Sequence, residues 1–512
     1  MTLASGRRVA VAALATSLVA ACATLPPATL ADRPTTARAA DGGFISWREH
    51  RIDDEGLSGV ALRGSDGSVM GDLDGDGFLD IVSVHEADTT YDGVPRGHVR
   101  IAFGSADPDV WESVTLAEGP EAGAAEDAAI GDVNGDGLPD IVVAAELAHL
   151  IYFENPGVDA RSGAWPRVIP PIASNRGSFI RVFLADLDAD GRLDVVAANK
   201  GAQDPTQARQ EPKEISWFDT GNTPLDGVWT EHVLTRIPWP INSQPVDLDQ
   251  DGDIDVVAGS VAARSIFWFE NDGAGSFVEH PIAIRPVGDA AAMRIDGQDG
   301  VGPDGVGLGA PEVTVIGEGS DGPGVNAFTL DFVDLSGDGR LDILTFETAN
   351  LLGHSVVWLE QPAAPGAPWP LHLVGDYRPD QVVGVASADI DGDGDLDVMT
   401  GGYSLGDRIE EVGVDPADAL GRLAWYENPG DAAARWTRHD ISRRARAMFD
   451  KFLPRDMDGD GDIDFVTTRG NSGVYDGVVW LEQVRTPTPQ PNFERARTVD
   501  SPETPLPPTA PR

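Results

Sequence analysis

One nine-residue pattern, D-x-D-x-D-G-x-x-D in its full form, recurs seven times along the chain. The copies are GDLDGDGFLDIV (71–82), GDVNGDGLPDIV (131–142), ADLDADGRLDVV (185–196), VDLDQDGDIDVV (246–257), VDLSGDGRLDIL (333–344), ADIDGDGDLDVM (388–399) and RDMDGDGDIDFV (455–466). Their first aspartates stand 60, 54, 61, 87, 55 and 67 residues apart. A fixed period of this size marks a repeat architecture, in which each copy is one supersecondary unit that buries its apolar face only by stacking on its neighbours.

The spacing also dictates a chemistry. Carboxylates at positions 1, 3 and 5 of a tightly turning loop converge on one point, and the glycine at position 6 permits the turn by accepting a positive φ. A hard cation such as calcium takes six to eight oxygens in a tolerant geometry, whereas magnesium demands a stricter octahedron and keeps its waters. In the first copy the donors are Asp72, Asp74, Asp76 and Asp80, with Phe78 offering its carbonyl. The equivalent sets are Asp132, Asn134, Asp136 and Asp140, then Asp186, Asp188, Asp190 and Asp194, then Asp247, Asp249, Asp251 and Asp255. They continue with Asp334, Ser336, Asp338 and Asp342, then Asp389, Asp391, Asp393 and Asp397, and finally Asp456, Asp458, Asp460 and Asp464. Asn134 and Ser336 each remove one charge, so those two sites should bind more weakly. Any single copy is also compatible with a plain Asp-Gly turn held by side-chain to backbone bonds. An EF-hand is excluded, because position 12 is apolar and the residues after the last aspartate are β-branched (DIVSV, DIVVAA, DVVAAN), which is a strand.

Two further signatures run in phase with the loops. Alternating aliphatic and aromatic residues, as in IYFENP (151–156), IFWFEN (266–271) and VVWLEQ (356–361 and 478–483), read as a half-buried strand entering a turn. Then comes an aromatic residue, completed in most copies as W-x-x-H or F-x-x-H, ending at His232, His280, His372 and His439. The copy missing after the seventh loop is found near the N-terminus, as Trp47-Arg48-Glu49-His50. The fold expected is all-β: a seven-bladed β-propeller of four-stranded antiparallel blades over 44–483, closed by the N-terminal strand so that no sheet edge is left open. Two separate β domains are the alternative. The histidines read as packing residues of the outer strands, placing one sheet on the next.

The repeats resemble the FG-GAP or VCBS type, the calcium-loop repeat of integrin α-subunit heads and of many bacterial surface proteins. The resemblance covers about 440 residues. It implies the propeller fold and calcium, about seven sites, at the aspartates named above. It does not imply one activity, because the family spans adhesion heads, lectins and domains of enzymes acting on polysaccharides.

The N-terminus reads as an address. Arg7 and Arg8 precede an apolar stretch, Val9 to Ala21, too short to span a bilayer, and it ends Val19-Ala20-Ala21-Cys22 at the only cysteine. That resembles the lipobox of bacterial lipoproteins. The resemblance implies a signal peptide over 1–21, lipidation of Cys22 and an exported protein anchored at the cell surface or in the periplasm, touching the membrane only through the lipid. The alternative is an ordinary signal peptide cut after Ala37-Arg38-Ala39 and a secreted protein. Residues 22–43 read as a flexible tether, and the Pro- and Thr-rich 484–512 as a disordered tail.

A formal charge of −47, with 84 acidic against 37 basic residues, excludes nucleic acid as a partner. The irregular loops at the ends of the strands facing away from the aspartate loops are where a ligand is expected. Candidates for chemistry there are His85, Tyr91, His98, His149, Arg181, Lys200 and His354. A lyase or dehydratase acting on sugars would need such a set, with a base to remove a proton α to a carbonyl and a cation to hold the enolate. The competing reading, which is preferred, makes them solvated loop residues of a non-catalytic, monomeric surface module that recognises a polysaccharide or protein. No P-loop, zinc H-E-x-x-H motif or Ser-His-Asp order is present.

Overall fold

The aliphatic run after each aspartate loop becomes a fully buried strand, and the structure is built outward from these. A computed structural model describes residues 28–87, 93–147, 149–204, 211–292, 324–348, 353–364, 366–404 and 414–507. In the first repeat, Ser65–Gly71, Asp80–His85, His98–Phe103 and Glu112–Glu118 pair antiparallel in chain order, the aspartate loop joining the first two strands. The second repeat does the same with Ala125–Gly131, Asp140–Ala145, His149–Phe153 and Arg167–Val168. The third uses Phe179–Ala185, Asp194–Asn199, Pro212–Asp219 and Thr230–Pro238, and the fourth Pro240–Val246, Asp255–Ser260, Ser265–Asn271 and Phe277–Pro281. The strands of the fifth and sixth repeats form one larger sheet, joined through the single pair Gly353 with Val382. Ile284–Pro286, from the long connection before the fifth loop, adds in parallel to the outer strand Trp369–Asp376.

The seventh repeat supplies only Phe452–Arg455, Asp464–Arg469 and Gly477–Thr486. Its fourth strand is Phe44–Asp54, antiparallel to Gly477–Thr486 with Trp47 opposite Gln483 and His50 opposite Trp480. That pairing places the displaced W-R-E-H copy where the other copies stand in their own sheets.

Successive sheets pack face to face. Val84, Ile101 and Phe103 of the first repeat meet Ala128, Ile141 and Phe153 of the second, and Val142 and Tyr152 of the second meet Val182 and Val195 of the third. Ile52, Val466, Val478 and Trp480 of the seventh pack with Ile81 and Ala102 of the first. This interior arises because the second strands carry aliphatic side chains on both faces (DIVVAA, DVVAGS), so each has a neighbour sheet on either side.

Two expectations are corrected. The tether reading of 22–43 fails over its described part: Leu30, Ala31, Ala37 and Ala39 are buried, and Thr35 N donates to Gln490 O at 2.8 Å. The tail reading of 484–512 fails as well. Phe493–Glu494 runs parallel to Phe44–Asp54, and Ser501 is fully buried. The physical reason is charge: Asp500 and Glu503 are drawn onto Arg469 and Arg444, side chains that are themselves fully buried. The signal-peptide stretch and Cys22 lie outside the described residues.

Candidate metal centres

Each aspartate loop turns on two left-handed residues. At position 6 φ runs from +86° at Gly191 to +103° at Gly252, the conformation the repeated glycine was expected to supply. Position 4 is left-handed too, glycine in five copies but Ala189 at +59° and Gln250 at +62° in the others. Sequence reasoning passed over this second turn because two of its residues are not glycine.

The turns aim backbone amides at the carboxylates. In all seven loops the amide of position 6 donates to the first aspartate, as Gly77 N does to Asp72 Oδ2 at 3.0 Å. The amide of position 7 donates to the aspartate at position 5, as Phe78 N does to Asp76 Oδ1 at 2.9 Å. The remaining oxygens converge. One carboxylate oxygen from each of Asp72, Asp74 and Asp80 lies within 4.8 Å of the others, and the same holds for Asp186, Asp188 and Asp194, for Asp247, Asp249 and Asp251, and for Asp389, Asp391 and Asp397. The donors are hard oxygens, which fits calcium better than a softer ion.

The aspartate at position 9 does more than close a cage. It is buried in every loop, and its Oδ2 accepts from the amide of position 2, as in Leu73 N to Asp80 at 2.8 Å. In six loops Oδ1 accepts from an amide at or near the end of the third strand, as in Asn271 N to Asp255 at 2.8 Å. Burial raises these carboxyls to about 6 at Asp80, Asp140, Asp255 and Asp342, about 7 at Asp464 and about 8 at Asp194 and Asp397. The unfolded chain releases these protons near pH 4. Without cations the folded state therefore holds more protons than the unfolded one, and stability falls as pH rises from about 4 to about 8. Thermal melts in excess chelator should show a lower midpoint at pH 8 than at pH 5; a flat or rising midpoint would contradict this.

The Glu-Asn and Glu-Gln ends of the third strands have a role that sequence reading missed. Asn155 Nδ2 donates to Leu73 O at 2.8 Å, Asn271 Nδ2 to Leu187 O at 2.8 Å, Gln361 Nε2 to Leu248 O at 3.1 Å and Gln483 Nε2 to Ile390 O at 2.9 Å. Each amide clamps the aspartate loop of the preceding repeat. The signal was the amide recurring at one register position. Asn271 Nδ2 also donates to Ile254 O at 2.9 Å, so Asn271→Ala removes the donor from both carbonyls and should cost about 1–3 kcal/mol in denaturant unfolding.

Cationic side chains already sit on some loops. Arg161, from the second repeat, pairs with Asp74 and Asp76 of the first loop, and Arg192 and Arg340 pair with Asp190 and Asp338 in their own loops. A guanidinium so placed competes with a metal ion for the same oxygens. Arg161→Gln should tighten calcium binding at the first loop several-fold in terbium displacement titrations, and unchanged affinity would rule the competition out.

Most of the described catalytic candidates are engaged by the scaffold. His85 is fully buried between Ser65 Oγ at 2.7 Å and Ser83 Oγ at 3.1 Å. His149 Nε2 lies 2.7 Å from Glu121 O, His354 Nδ1 lies 3.3 Å from Asp380 O, and Lys200 pairs with Glu146. His98 stands opposite His85 in the sheet, and Tyr91 lies outside the described residues. Arg181 lines a cavity of about 220 Å3, but there it pairs with Asp450 at 2.9 Å while Lys451 pairs with Asp127 at 3.0 Å. These ion pairs cross-brace the inner strands. As solvated loop residues His85, His149, Arg181 and Lys200 were misread: all four are buried.

The histidines of the outer strands pack on tryptophans of their own sheets, and His50 also reaches the first repeat, its Nδ1 lying 2.6 Å from Asp109. His232 stacks on Trp217 at 3.9 Å, His372 on Trp358 at 4.2 Å and His50 on Trp480 at 4.1 Å, each joining fourth strand to third. The glutamate of the third strand completes the contact, as in His439 with Glu427 at 2.7 Å.

With the loops in view, comparison with known proteins gives one family. The family described as FG-GAP-like repeat matches residues 72–143 and 132–197. The chain thus carries FG-GAP-like repeats in at least two places, where the first three loops stand. Among solved structures it is similar to the V. cholerae biofilm matrix protein Bap1, at 13% identity over 88% of this chain and 92% of that one, with a TM-score of 0.38. It is also similar to BBS1N, solved in complex with ARL6DN, at 10% identity over 86% of this chain and 97% of that one, with a TM-score of 0.42. No curated protein sequence matches it.

Proposed function

We propose that the chain is a seven-bladed β-propeller closed by its N-terminal strand, loaded with calcium at its aspartate loops and displayed outside the cell through a lipid on Cys22. In this reading it recognises a glycan or protein through the irregular face opposite the loops, and it catalyses no reaction. The observation that carries the non-catalytic reading is the engagement of the candidate side chains: His85, His149, Arg181 and Lys200 are buried and each has a partner in the scaffold. A general base must reach the proton that it removes, and side chains buried against scaffold partners are poorly placed for that. The repeated loop geometry and the packing of the seventh repeat on the first support the closed ring. The negative surface and the hard-oxygen donors suit a calcium-rich exterior.

A glycan array probed with the full chain, with calcium and with chelator, tests the reading. Calcium-dependent retention of one glycan class, without unsaturated or shortened products on prolonged incubation, is the expected result. Product formation would turn the assignment to a carbohydrate-active enzyme. Absence of both binding and product would remove glycans and leave protein ligands for a pull-down from surface extracts.

A further inference from the structure

A second, different acidic group lies at the opposite end of the strands from the aspartate loops. Asp66 and Glu126 stand at the starts of the first strands of the first two repeats, and Glu86 directly follows the second strand of the first. A seven-residue strand separates them from the loops by about 20 Å. One carboxylate oxygen from each of the three lies within 4.8 Å of the others, and all three residues are buried. About 4.8 Å is also the separation of two oxygens on opposite sides of a calcium ion with bonds near 2.4 Å.

Glu126 is the telling member. It is only 9% exposed, and among the described residues its carboxylate makes no hydrogen bond and no ion pair. The nearby ammonium of Lys200 is committed to Glu146, whose carboxylate also accepts from Ser178 Oγ at 3.3 Å. Nor does the fold require an acid there. Pairing skips Glu126 between Ala125 and Asp127, and the same skip leaves Ile180, Ile241 and Val383 in the third, fourth and sixth repeats, each at most 4% exposed. An aliphatic side chain satisfies that position in those three repeats, while the first repeat's skip passes over Asp66 of the same acidic group, so burying a carboxylate there costs stability unless something binds it. Burial, with Asp66, Glu146 and Glu86 as neighbours, holds the Glu126 carboxyl well above its ordinary range.

We propose that Asp66, Glu86 and Glu126 form a further divalent-cation site, for calcium, at the end of the propeller away from the aspartate loops. Its ligands come from two repeats, 60 residues apart at Asp66 and Glu126, so the ion locks the first sheet to the second. The loop sites, by contrast, are each built from one local turn.

The test is a calcium count per chain by plasma mass spectrometry after gel filtration in calcium buffer, on the full chain, Glu126→Gln and Glu126→Ile. Glu126→Ile installs the residue type of the matching positions, so it keeps the inference testable if the amide variant misfolds. Each variant is expected to hold one ion fewer than the parent, with the same loss in Glu86→Gln. An unchanged count in both Glu126 variants would overturn the site and leave a shared proton as what neutralises the group. Empty aspartate loops would show separately, as a low total in the parent with the one-ion difference preserved.

Discussion

Stripping calcium from the folded protein is expected to lower its melting temperature by more than about 10 °C, with loss of a single sharp transition. A ligand that binds only the native state adds RT ln(1 + [L]/Kd), about 2.7 kcal/mol for each site at a hundredfold excess over Kd. The chain has seven such loops. Their summed contribution exceeds the whole net stability of an ordinary domain, about 5–15 kcal/mol. The effect is sharpened by what is left behind, since three or four carboxylates crowd each emptied loop and the chain carries a formal charge of −47. Calorimetry with calcium and with chelator checks it. Because the Asn and Gln clamps tie each loop to the next sheet, loss of one ion should loosen two repeats, and the transition should broaden as well as shift.

The second large effect lies where the two chain ends meet. Arg444 pairs with Glu49 at 2.7 Å and approaches Glu503 at 3.6 Å, while Arg469 pairs with Asp500; the side chains of Arg444, Arg469, Glu49 and Asp500 are all fully buried. Arg444 belongs to the sixth repeat, Arg469 to the seventh, Glu49 to the N-terminal strand and Asp500 to the C-terminal segment. Burial alone would raise the Asp500 carboxyl, but Arg469 and Arg444 outweigh it and hold it well below its ordinary range. Arg444→Met leaves Glu49 without its closest partner in a site closed to water, and should cost about 3–5 kcal/mol. Truncation after Thr486 removes Asp500 and Glu503 together and uncovers Phe493's contact with the N-terminal strand, so it should destabilise at least as much. Denaturant midpoints measure both. A truncated chain as stable as the full one would show that the segment rests on the fold without holding it.

Much of the architecture was legible because its signals are local and repeated. The position 6 glycine announces its turn by itself, and the W-R-E-H copy at Trp47 betrays the N-terminal strand by matching four partners elsewhere. The C-terminal segment was not legible for the opposite reason. Its Pro- and Thr-rich composition looks like that of a disordered tail, and what orders it is a buried ion network with Arg444 and Arg469, remote in sequence. His85 and Lys200 were placed in the correct region, at the ends of the second strands, but composition cannot tell that Ser65 and Glu146 would be waiting to bury them. Glu126 hid in the same way. It sits at a bulge that the third, fourth and sixth repeats fill with an aliphatic side chain, a comparison that becomes possible only when the strands are in register.

The most direct measurement is a calcium titration of chelator-stripped full chain, followed by isothermal calorimetry and an independent ion count. Seven loops of one geometry should bind about seven ions, with the Asn134 and Ser336 loops among the weaker ones and saturation restoring the high melting temperature. A protein that binds at most one or two ions, and melts at the same temperature whether or not calcium is present, would contradict the calcium-loaded propeller.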